Sequence, residues 1–350
     1  MRESAGGAAL KTSPGGAAGK ARPGFKVAAL IIGSLAVTAL SPFFGLSVIS
    51  PADIMLPDHP DAEVFWRLRA PRAAAAFLAG AGLSLSGMVF QAFFRNPLAT
   101  PFTLGVSSGA SFGASLYFYL GGTFLIRLGG VGPLFASLMG AGFSMFLVWS
   151  ITRVKGGFST VIMLLAGVVI NFFFSSLVLF VQYLSDSHDS LRIMHWLMGS
   201  LAGLETARLA DLAFVILAGS VIFRLMAAEI DLLTAGEEIA ASRGVRVGLT
   251  KIKLFVTASV MVGSVVSLAG PIGFVGLMVP HACRLTLGWA HRLLIPAVFF
   301  TGGCFLVLCD LASRLILAPA EIPIGIVTSM LGGPFFLWTL FRSQKTGDLF

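Results

Sequence analysis

The stretch APRAAAAFLAGAGLSLSGMVFQAFFRNP, residues 70–97, contains no charged side chain between Arg72 and Arg95. A helix needs about 20 predominantly apolar residues to cross the hydrocarbon core of a bilayer, and this stretch is long enough. The residue before a proline avoids helical geometry, so Asn96 and Pro97 are expected to end the helix. The stretch therefore predicts a membrane-spanning helix over residues 72–94.

The whole chain has the composition of a membrane protein. Only 11% of its 350 residues are charged and 56% are hydrophobic, whereas soluble domains carry about 25% charged residues. At about 20 residues per span, the length allows roughly ten spanning helices. We therefore predict an all-α polytopic membrane protein. The net charge of +8 does not indicate nucleic-acid binding, because excess Lys and Arg in membrane proteins record topology.

Apolar runs separated by short polar segments predict ten spans in a single transmembrane domain, residues 25–345. The run 191–201 is apolar but too short to cross a bilayer, which favours a re-entrant or interfacial helix. Residues 1–24 are rich in Gly, Ala and Ser and are predicted to form a disordered cytoplasmic tail. The ten spans are predicted over residues 26–48, 72–94, 102–122, 131–151, 158–183, 209–227, 251–270, 273–288, 291–316 and 322–341.

The distribution of basic residues predicts the orientation of the chain. With a cytoplasmic N-terminus and ten spans, both termini lie inside. Most of the 24 Lys and Arg residues then fall on the cytoplasmic side, in agreement with the positive-inside rule. Three exceptions, Arg67, Arg69 and Arg72, cluster at the outer start of the second span. This local violation needs another explanation, and contact of long basic side chains with lipid headgroups is one.

The stretch AGEEIAASRG, residues 235–244, is a polar island between apolar runs, on the cytoplasmic side in this orientation. Glu237 and Glu238 stand at its start, where acids complement the positive end of a helix dipole. Arg243 stands at its other end, and Gly244 suits the left-handed position just past a helix terminus. The pattern predicts a short, self-capped helix that can present a rigid surface to a soluble partner.

Gly105, Gly109 and Gly113 recur at every fourth residue of the third predicted span. Such a stripe of small residues allows two helix backbones to approach closely within a membrane. The pattern favours packing inside one bundle over a seam between two subunits, and leaves the second arrangement open.

Side chains that often bind metals or protons are few and scattered. Asp310 and Arg314 are one helical turn apart and can pair, which suits a structural tether as well as a function. His195, flanked by Met194 and Met198, is the best candidate for a ligand. Most methionines, however, lie in apolar spans, where they are typical of packing. We predict that this chain binds no metal or cofactor of its own.

The sequence also argues against an enzyme. In GGAAGKA, residues 15–21, Ala21 stands where a phosphate-binding loop requires Ser or Thr after its lysine. An intramembrane enzyme would need a catalytic constellation in the spans. A stand-alone secondary transporter driven by an ion gradient would need ligands for its coupling ion there. The sequence displays neither, but both classes remain as alternatives to a transport subunit that works with partners.

Several long motifs resemble the FecCD-like permeases, the membrane subunits of ATP-binding-cassette (ABC) importers for ferric siderophores, haem and vitamin B12. The resemblance covers nearly the whole chain from residue 64 and implies the fold of a type II importer permease. The motifs are RLRAPRAAAAFLAGAGLSLSGMVFQAFFRNPLATPFTLGVSSGASFGA in the second and third spans, GEEIAASRGV before the seventh, and AGPIGFVGLMVPHACRL, HRLLIPA and LAPAEIPIGIVTSMLGGPFF in the last ones.

The resemblance implies an assembly in the bacterial inner membrane. A homodimer of the permease would bind two cytoplasmic ABC ATPase subunits, which hold ATP and Mg²⁺. A periplasmic or lipid-anchored substrate-binding protein would deliver the cargo. The implied cargo is a metal chelate, with a ferric siderophore first and vitamin B12 or haem next.

The resemblance also assigns roles to individual residues. Arg69 and Arg72 in RLRAPR, and Arg314 in DLASR, resemble outer arginines that pair with acidic residues of the binding protein. Thr100 departs from the family pattern, because it replaces an acid at the start of the third span. The segment 236–248 resembles the coupling segment that contacts the ATPase, with Gly236, Glu237, Glu238, Ala240, Ala241, Arg243 and Gly244 as its candidate residues.

Overall fold

The computed structural model describes residues 23–56, 59–120, 132–154, 160–202 and 206–346, and all regular structure in these ranges is helical. A π-helical segment, Phe65–Arg69, joins α2 to α3. The α-helices are α1 (Pro23–Leu40), α2 (Pro60–Val64), α3 (Ala70–Phe94), α4 (Val106–Tyr119), α5 (Pro133–Val154), α6 (Thr160–Leu184), α7 (Ser187–Leu197), α8 (Thr206–Leu225), α9 (Ala227–Ala235), α10 (Glu237–Ser242), α11 (Val247–Ala269), α12 (Val275–Leu287), α13 (His291–Leu315) and α14 (Ile324–Thr346).

The predicted all-α polytopic membrane architecture is confirmed. Each of the ten predicted spans contains a described helix. Within the described ranges, six spans are long and apolar enough to cross a bilayer: α1, the continuous α2–α3 rod, α5, α6, α11 and α13. The pair α8 and α9, bent by 61°, is a seventh candidate. The helices α4 and α12 are shorter, with 14 and 13 residues, and the apolar part of α14 extends only over Ile324–Thr339.

Several predicted boundaries were wrong for local reasons. The first span was predicted to reach residue 48, but α1 ends at Leu40, because Ser41–Phe43 forms a 3-10 turn that contains a proline. The helix of the third span begins at Val106 rather than 102, after Gly105 with φ of 77°. The short helix α7 begins at Ser187 rather than 191. Asp186 caps it by accepting a hydrogen bond from the Asp189 amide. The predicted tail lies outside the described residues, except that α1 already begins at Pro23.

α3 is the centre of the bundle. In the most apolar 18-residue stretch of the α2–α3 rod, 89% of the residues are buried. α3 packs against α8, α11, α12 and α13. Glycines allow these close approaches. A Cβ added to Gly80 would collide with the backbone of Gly302 in α13, and one added to Gly87 would collide with the backbone of Gly276 in α12. Small residues at helix crossings are typical of membrane bundles, where van der Waals packing replaces a hydrophobic driving force between helices.

The predicted glycine stripe faces α5 of the same chain. A Cβ on Gly109 would lie 2.6 Å from the Ser144 Cβ, and one on Gly113 would lie 2.8 Å from the Ala136 carbonyl carbon. Gly105 precedes the helix, and its carbonyl accepts a hydrogen bond of 2.6 Å from the Ser144 hydroxyl. The stripe therefore lies between two helices of one chain.

Candidate functional site

Following the predicted orientation, we call the two ends of the bundle inner and outer. At the inner end, α9 and α10 form a polar elbow, residues 227–242, between α8 and α11. Two carboxylates of this elbow point into the bundle. Glu229 accepts a hydrogen bond of 3.0 Å from the Thr250 hydroxyl of α11. Asp231 accepts a hydrogen bond of 3.1 Å from the backbone amide of His291, and its Oδ1 lies 2.5 Å from the ring atom Nδ1 of His291. The elbow is thereby tied to α11 and α13.

A third carboxylate ties α10 to α11 again and to one further helix, α6. Glu237 Oε1 lies 2.6 Å from Lys251 Nζ of α11 and accepts a hydrogen bond of 2.9 Å from the Thr160 hydroxyl of α6. Lys251 also donates to that hydroxyl at 3.0 Å, and its ammonium lies 5.6 Å from the centre of the Phe93 ring. Lys251 is 1% exposed. Glu237, Lys251 and Thr160 thus form one closed triad under the elbow.

The triad also sets the ionisation of Glu237. Burial raises the pKa of this carboxyl group. The hydrogen bonds from Lys251 and Thr160, together with the positive charges of Lys251 and Arg95, outweigh burial, so the pKa lies below its ordinary value of 4.5. The carboxylate is therefore charged at neutral pH, and its interaction with the Lys251 ammonium is charge-assisted.

The opposite face of α10 is exposed. Glu238, Ala241 and Arg243 face outwards, and Ile239 is 48% exposed although it is a large apolar residue. Ala240 is fully buried beneath them. The predicted coupling residues therefore divide into a set that holds α10 to the bundle and a set that lies on its surface.

Two glycines bound this short helix. Gly236 precedes it with φ of 145°, and Gly244 follows it with φ of 83°. L side chains rarely adopt either conformation, so glycine suits both positions. The sequence predicted the left-handed position of Gly244. The extended, positive-φ geometry at Gly236 has no comparable sequence signal.

At the outer end, one buried carboxylate holds two arginines. Asp310 of α13 is 1% exposed and lies 2.8 Å from Arg72 Nε of α3 and 3.2 Å from Arg314 Nε of its own helix. The Asp310–Arg314 pair was predicted, whereas Arg72 was not expected to join it. Arg72 Nη1 also lies 3.0 Å from Glu321. The cluster joins the centre of the bundle to α13.

Arg69 has a different set of partners. Its guanidinium donates to the carbonyls of Pro42 and Ser47, at 3.3 and 2.9 Å, and to the Ser47 hydroxyl at 3.1 Å. Arg67 is more exposed and pairs with Glu63 at 3.0 Å. All three predicted docking arginines are therefore held by contacts within the chain. With Arg67 and Glu321 they line an outer cavity of about 350 Å³.

A larger outer cavity, of about 650 Å³, lies beside α7. Sequence reasoning singled out His195 of this helix as a candidate ligand but missed His188 and Arg192, which line the same cavity. A signal was available, because spacings of four and then three residues place all three side chains on one helix face. Met194 and Met198, the predicted companions of His195, are not among the lining residues.

Asp53, His59 and Asp61 place ligand-type atoms within 4.8 Å of one another at the outer end, around the start of α2. Sequence reasoning predicted no metal site and did not single out this group. His59 Nδ1 accepts a hydrogen bond of 3.2 Å from the Asp61 amide, so it caps α2. Exposed acidic groups are common without an ion, and the capping bond accounts for the closeness of His59 and Asp61.

The sequence matches the model of the FecCD transport family over residues 30–342. It is 33% identical over 326 residues to the hemin transport system permease protein HmuU of Yersinia pestis, covering 92% of this chain and 96% of the relative. It is 39% identical over 284 residues to the vitamin B12 import system permease protein BtuC of Klebsiella pneumoniae, covering 81% and 83% of the two chains.

A solved structure has a similar fold. An inward-facing transporter of the metal-chelate ABC type superposes with a TM-score of 0.81 and 29% sequence identity, and the match covers 91% of this chain and 99% of the other. The fold is therefore shared over nearly the full length of both proteins.

Proposed function

This chain belongs to the FecCD transport family and is a membrane-spanning permease subunit of an ABC importer, and we propose that it works as a homodimer with two ATPase subunits and an external binding protein. In this proposal the ATPases hold ATP and Mg²⁺ and the permease binds no cofactor. The cargo is a metal chelate, and the classes to test are ferric siderophores, vitamin B12 and haem.

The geometry of the elbow is the observation that supports coupling to an ATPase most directly. The exposed face of α10, with Ile239 and Glu238, offers an apolar contact edged by charge to a soluble partner. The partly exposed carboxylates beneath it attach the same elbow to α6, α11 and α13. Because these ties are short and partly buried, displacement of α10 by an ATPase would move three helices together.

Uptake by the reconstituted complex tests the proposal. The permease, its ATPase subunits and the binding protein are placed in proteoliposomes, with haemin, a ferric siderophore or cyanocobalamin supplied at the outer side. We expect uptake that requires ATP and the binding protein. Uptake that persists without ATP and stops when ionophores collapse the ion gradients would instead identify a secondary transporter.

The outer arginines are proposed to orient the binding protein. Charged pairs of this kind govern the rate and orientation of docking more than raw affinity. We expect Arg69→Gln with Arg72→Gln to slow association with the binding protein, and the difference to shrink at high salt because screening weakens exposed charge interactions. Because both arginines also have partners within the chain, thermal stability is measured in parallel. Unchanged association kinetics at low salt in a folded variant would exclude the docking role.

A further inference from the structure

The larger outer cavity carries basic groups that neither coupling nor docking uses. Its volume of about 650 Å³ lies within the roughly 300–1,000 Å³ of small-molecule sites. One wall is α7. The facing wall comes from the end of α13 and the segment before α14, and Arg72 of α3 also lines the cavity.

One face of α7 presents a row of basic and imidazole side chains to this cavity. His188, Arg192 and His195 are separated by four and three residues, so they lie on the same helix face, and all three are exposed. Ile193, on another face, is 1% exposed and packs in a cluster with Phe118 of α4. The buried face fixes the helix, and the polar face remains available to a ligand.

The end of α7 is anchored on both sides. The Ser200 amide donates to the Ala269 carbonyl of α11 at 2.8 Å, and the Ile324 amide of α14 donates to the Gly199 carbonyl at 3.2 Å. Gly199 has φ of 72°, and a Cβ there would lie 2.8 Å from the Pro271 carbonyl oxygen. The row is therefore held on a preorganised support, which lowers the ordering cost of binding.

Contacts within the chain hold the Arg192 side chain in place and leave some of its hydrogen-bond donors for a ligand. Its guanidinium lies 5.0 Å from the centre of the Phe118 ring, and its nearest carboxylate, Asp189, is 3.5 Å away. An arginine has five N–H donors, so donors remain for a ligand. Among the described residues that line the cavity, Glu321 is the single acid, and it faces Arg72. The described lining thus combines two arginines and two histidines with one carboxylate, and Arg72 is already paired with Glu321 and Asp310.

The remaining lining is mostly apolar and aromatic, with Leu191, Trp196, Leu201 and Ile322 among its members, and Ser200 and Ser313 add two hydroxyl groups. A ligand that suits this surface has an apolar or aromatic body and anionic groups on its edge. Carboxylates fit best, because the arginine fork pairs with a carboxylate in a two-point geometry.

We propose that this cavity binds the free carboxylate groups of an anionic metal chelate, with His188, Arg192 and His195 as its recognition residues. The proposal rests on the importer function above and narrows its substrate class. Haem, with two propionates, and carboxylate-type ferric chelates share this chemistry. Vitamin B12 does not, because its side chains are amides.

Equilibrium binding to the full-length permease, assembled with its ATPase subunits in lipid nanodiscs, tests the proposal. The probes are haemin, ferric citrate and, as a chelate without free carboxylates, cyanocobalamin. The test variant is His188→Gln/Arg192→Gln/His195→Gln, which keeps polar side chains at exposed helix positions. Arg67→Gln is the matched control, because it removes an exposed outer charge that does not line this cavity.

We expect the triple variant to bind haemin or ferric citrate about tenfold or more weakly, because hydrogen bonds to charged groups are among the strongest. Cyanocobalamin binding is expected to stay unchanged, and Arg67→Gln to stay within about twofold of the wild type. If the triple variant weakens haemin binding, a porphyrin supplies the carboxylates. If it weakens ferric citrate binding, a hydroxy-acid chelate supplies them.

Three results would overturn the inference. They are a wild type that binds neither carboxylate probe, a triple variant that binds both as the wild type does, and a triple variant that loses only its affinity for the binding protein. The last result would assign the cavity to an acidic side chain of that partner. ATP-driven uptake by the wild-type complex separates the two proposals. If no chelate is taken up, the importer function fails. If uptake occurs and the triple variant leaves it unaltered, only the carboxylate site fails.

Discussion

At the scale of single residues, the two adjacent glutamates of α10 have opposite surroundings. Glu237 contacts Lys251 and Thr160, whereas Glu238 is exposed. We expect Glu238→Gln to weaken binding of the ATPase subunits, and Glu237→Gln to leave that affinity within about twofold while lowering uptake per ATP hydrolysed. Measuring affinity and coupling separately in the reconstituted complex checks this. Equal effects of the two variants on affinity would contradict the division.

The same carboxylate predicts a pH dependence. Because the pKa of Glu237 is below its ordinary value of 4.5, its contribution to stability is complete above that value and is lost as pH falls through the folded pKa. Breaking the pair is expected to cost about 1–2 kcal/mol at neutral pH, less than for a fully buried pair, because the carboxylate is partly exposed. We therefore expect the stability gap between wild type and Glu237→Gln to close below pH 4.5. A gap that stays constant to about pH 3 would exclude this linkage.

The outer carboxylate cluster gives a second prediction at this scale. Asp310 is the buried member between Arg72 and Arg314, so Asp310→Asn removes the carboxylate that these two largely buried cations share and leaves only the partly exposed Glu321 beside Arg72. We expect a loss of about 3 kcal/mol, seen as a lower midpoint in thermal unfolding of the detergent-solubilised protein. Glu63→Gln, which breaks an exposed pair with Arg67, is the control and should change stability by less than about 0.5 kcal/mol.

Residue roles were only partly accessible from the sequence. Helical spacing predicted the Asp310–Arg314 pair and the left-handed Gly244, because both depend on neighbours along the chain. The Arg72–Asp310 and Lys251–Thr160 contacts join positions distant in sequence, so no local pattern indicates them. The inward direction of Glu237 follows from these distant partners.

At the scale of elements, the lengths of apolar runs predicted the helices, and backbone chemistry decided where they end. The ends of α1 and α3 lie beside prolines at 42 and 97, and Gly105 delays the start of α4. The polar residues SHDS, 187–190, lie before the apolar run 191–201 that was predicted to form the short helix. In the structure they begin α7, since Asp186 supplies an N-terminal cap.

The α4–α5 crossing yields a matched pair of substitutions. Gly109→Ala, on α4, would place a Cβ 2.6 Å from the Cβ of Ser144 on α5. Gly142→Ala, also on α5, would place a Cβ that has no neighbour within 4 Å. We expect Gly109→Ala to destabilise the protein by about 1–3 kcal/mol through overpacking. Gly142→Ala should be neutral or stabilising by up to about 1 kcal/mol, because alanine has the higher helix propensity. Thermal unfolding of both variants measures the difference, and equal stabilities would contradict tight packing at Gly109.

At the scale of the whole molecule, every role proposed for the two ends depends on one orientation in the membrane. The α10 surface must face the compartment that holds the ATPase, and the α7 cavity must face the binding protein. Excess basic residues predict that arrangement. Single cysteines test it in a background in which Cys283, Cys304 and Cys309, which form no disulfide, are replaced by alanine.

Glu63 and Ser242 are exposed positions at the two ends. With a maleimide that cannot cross the membrane, we expect Glu63→Cys to react in spheroplasts whose inner membrane is intact. Ser242→Cys should react only after permeabilisation, because the positive-inside rule places α10 in the cytoplasm. Reversed labelling would put the α10 surface on the side of the binding protein, where it could not contact a cytoplasmic ATPase. Both the coupling role of the elbow and the delivery of a chelate to the α7 cavity would then fail together, since one bundle carries both sites.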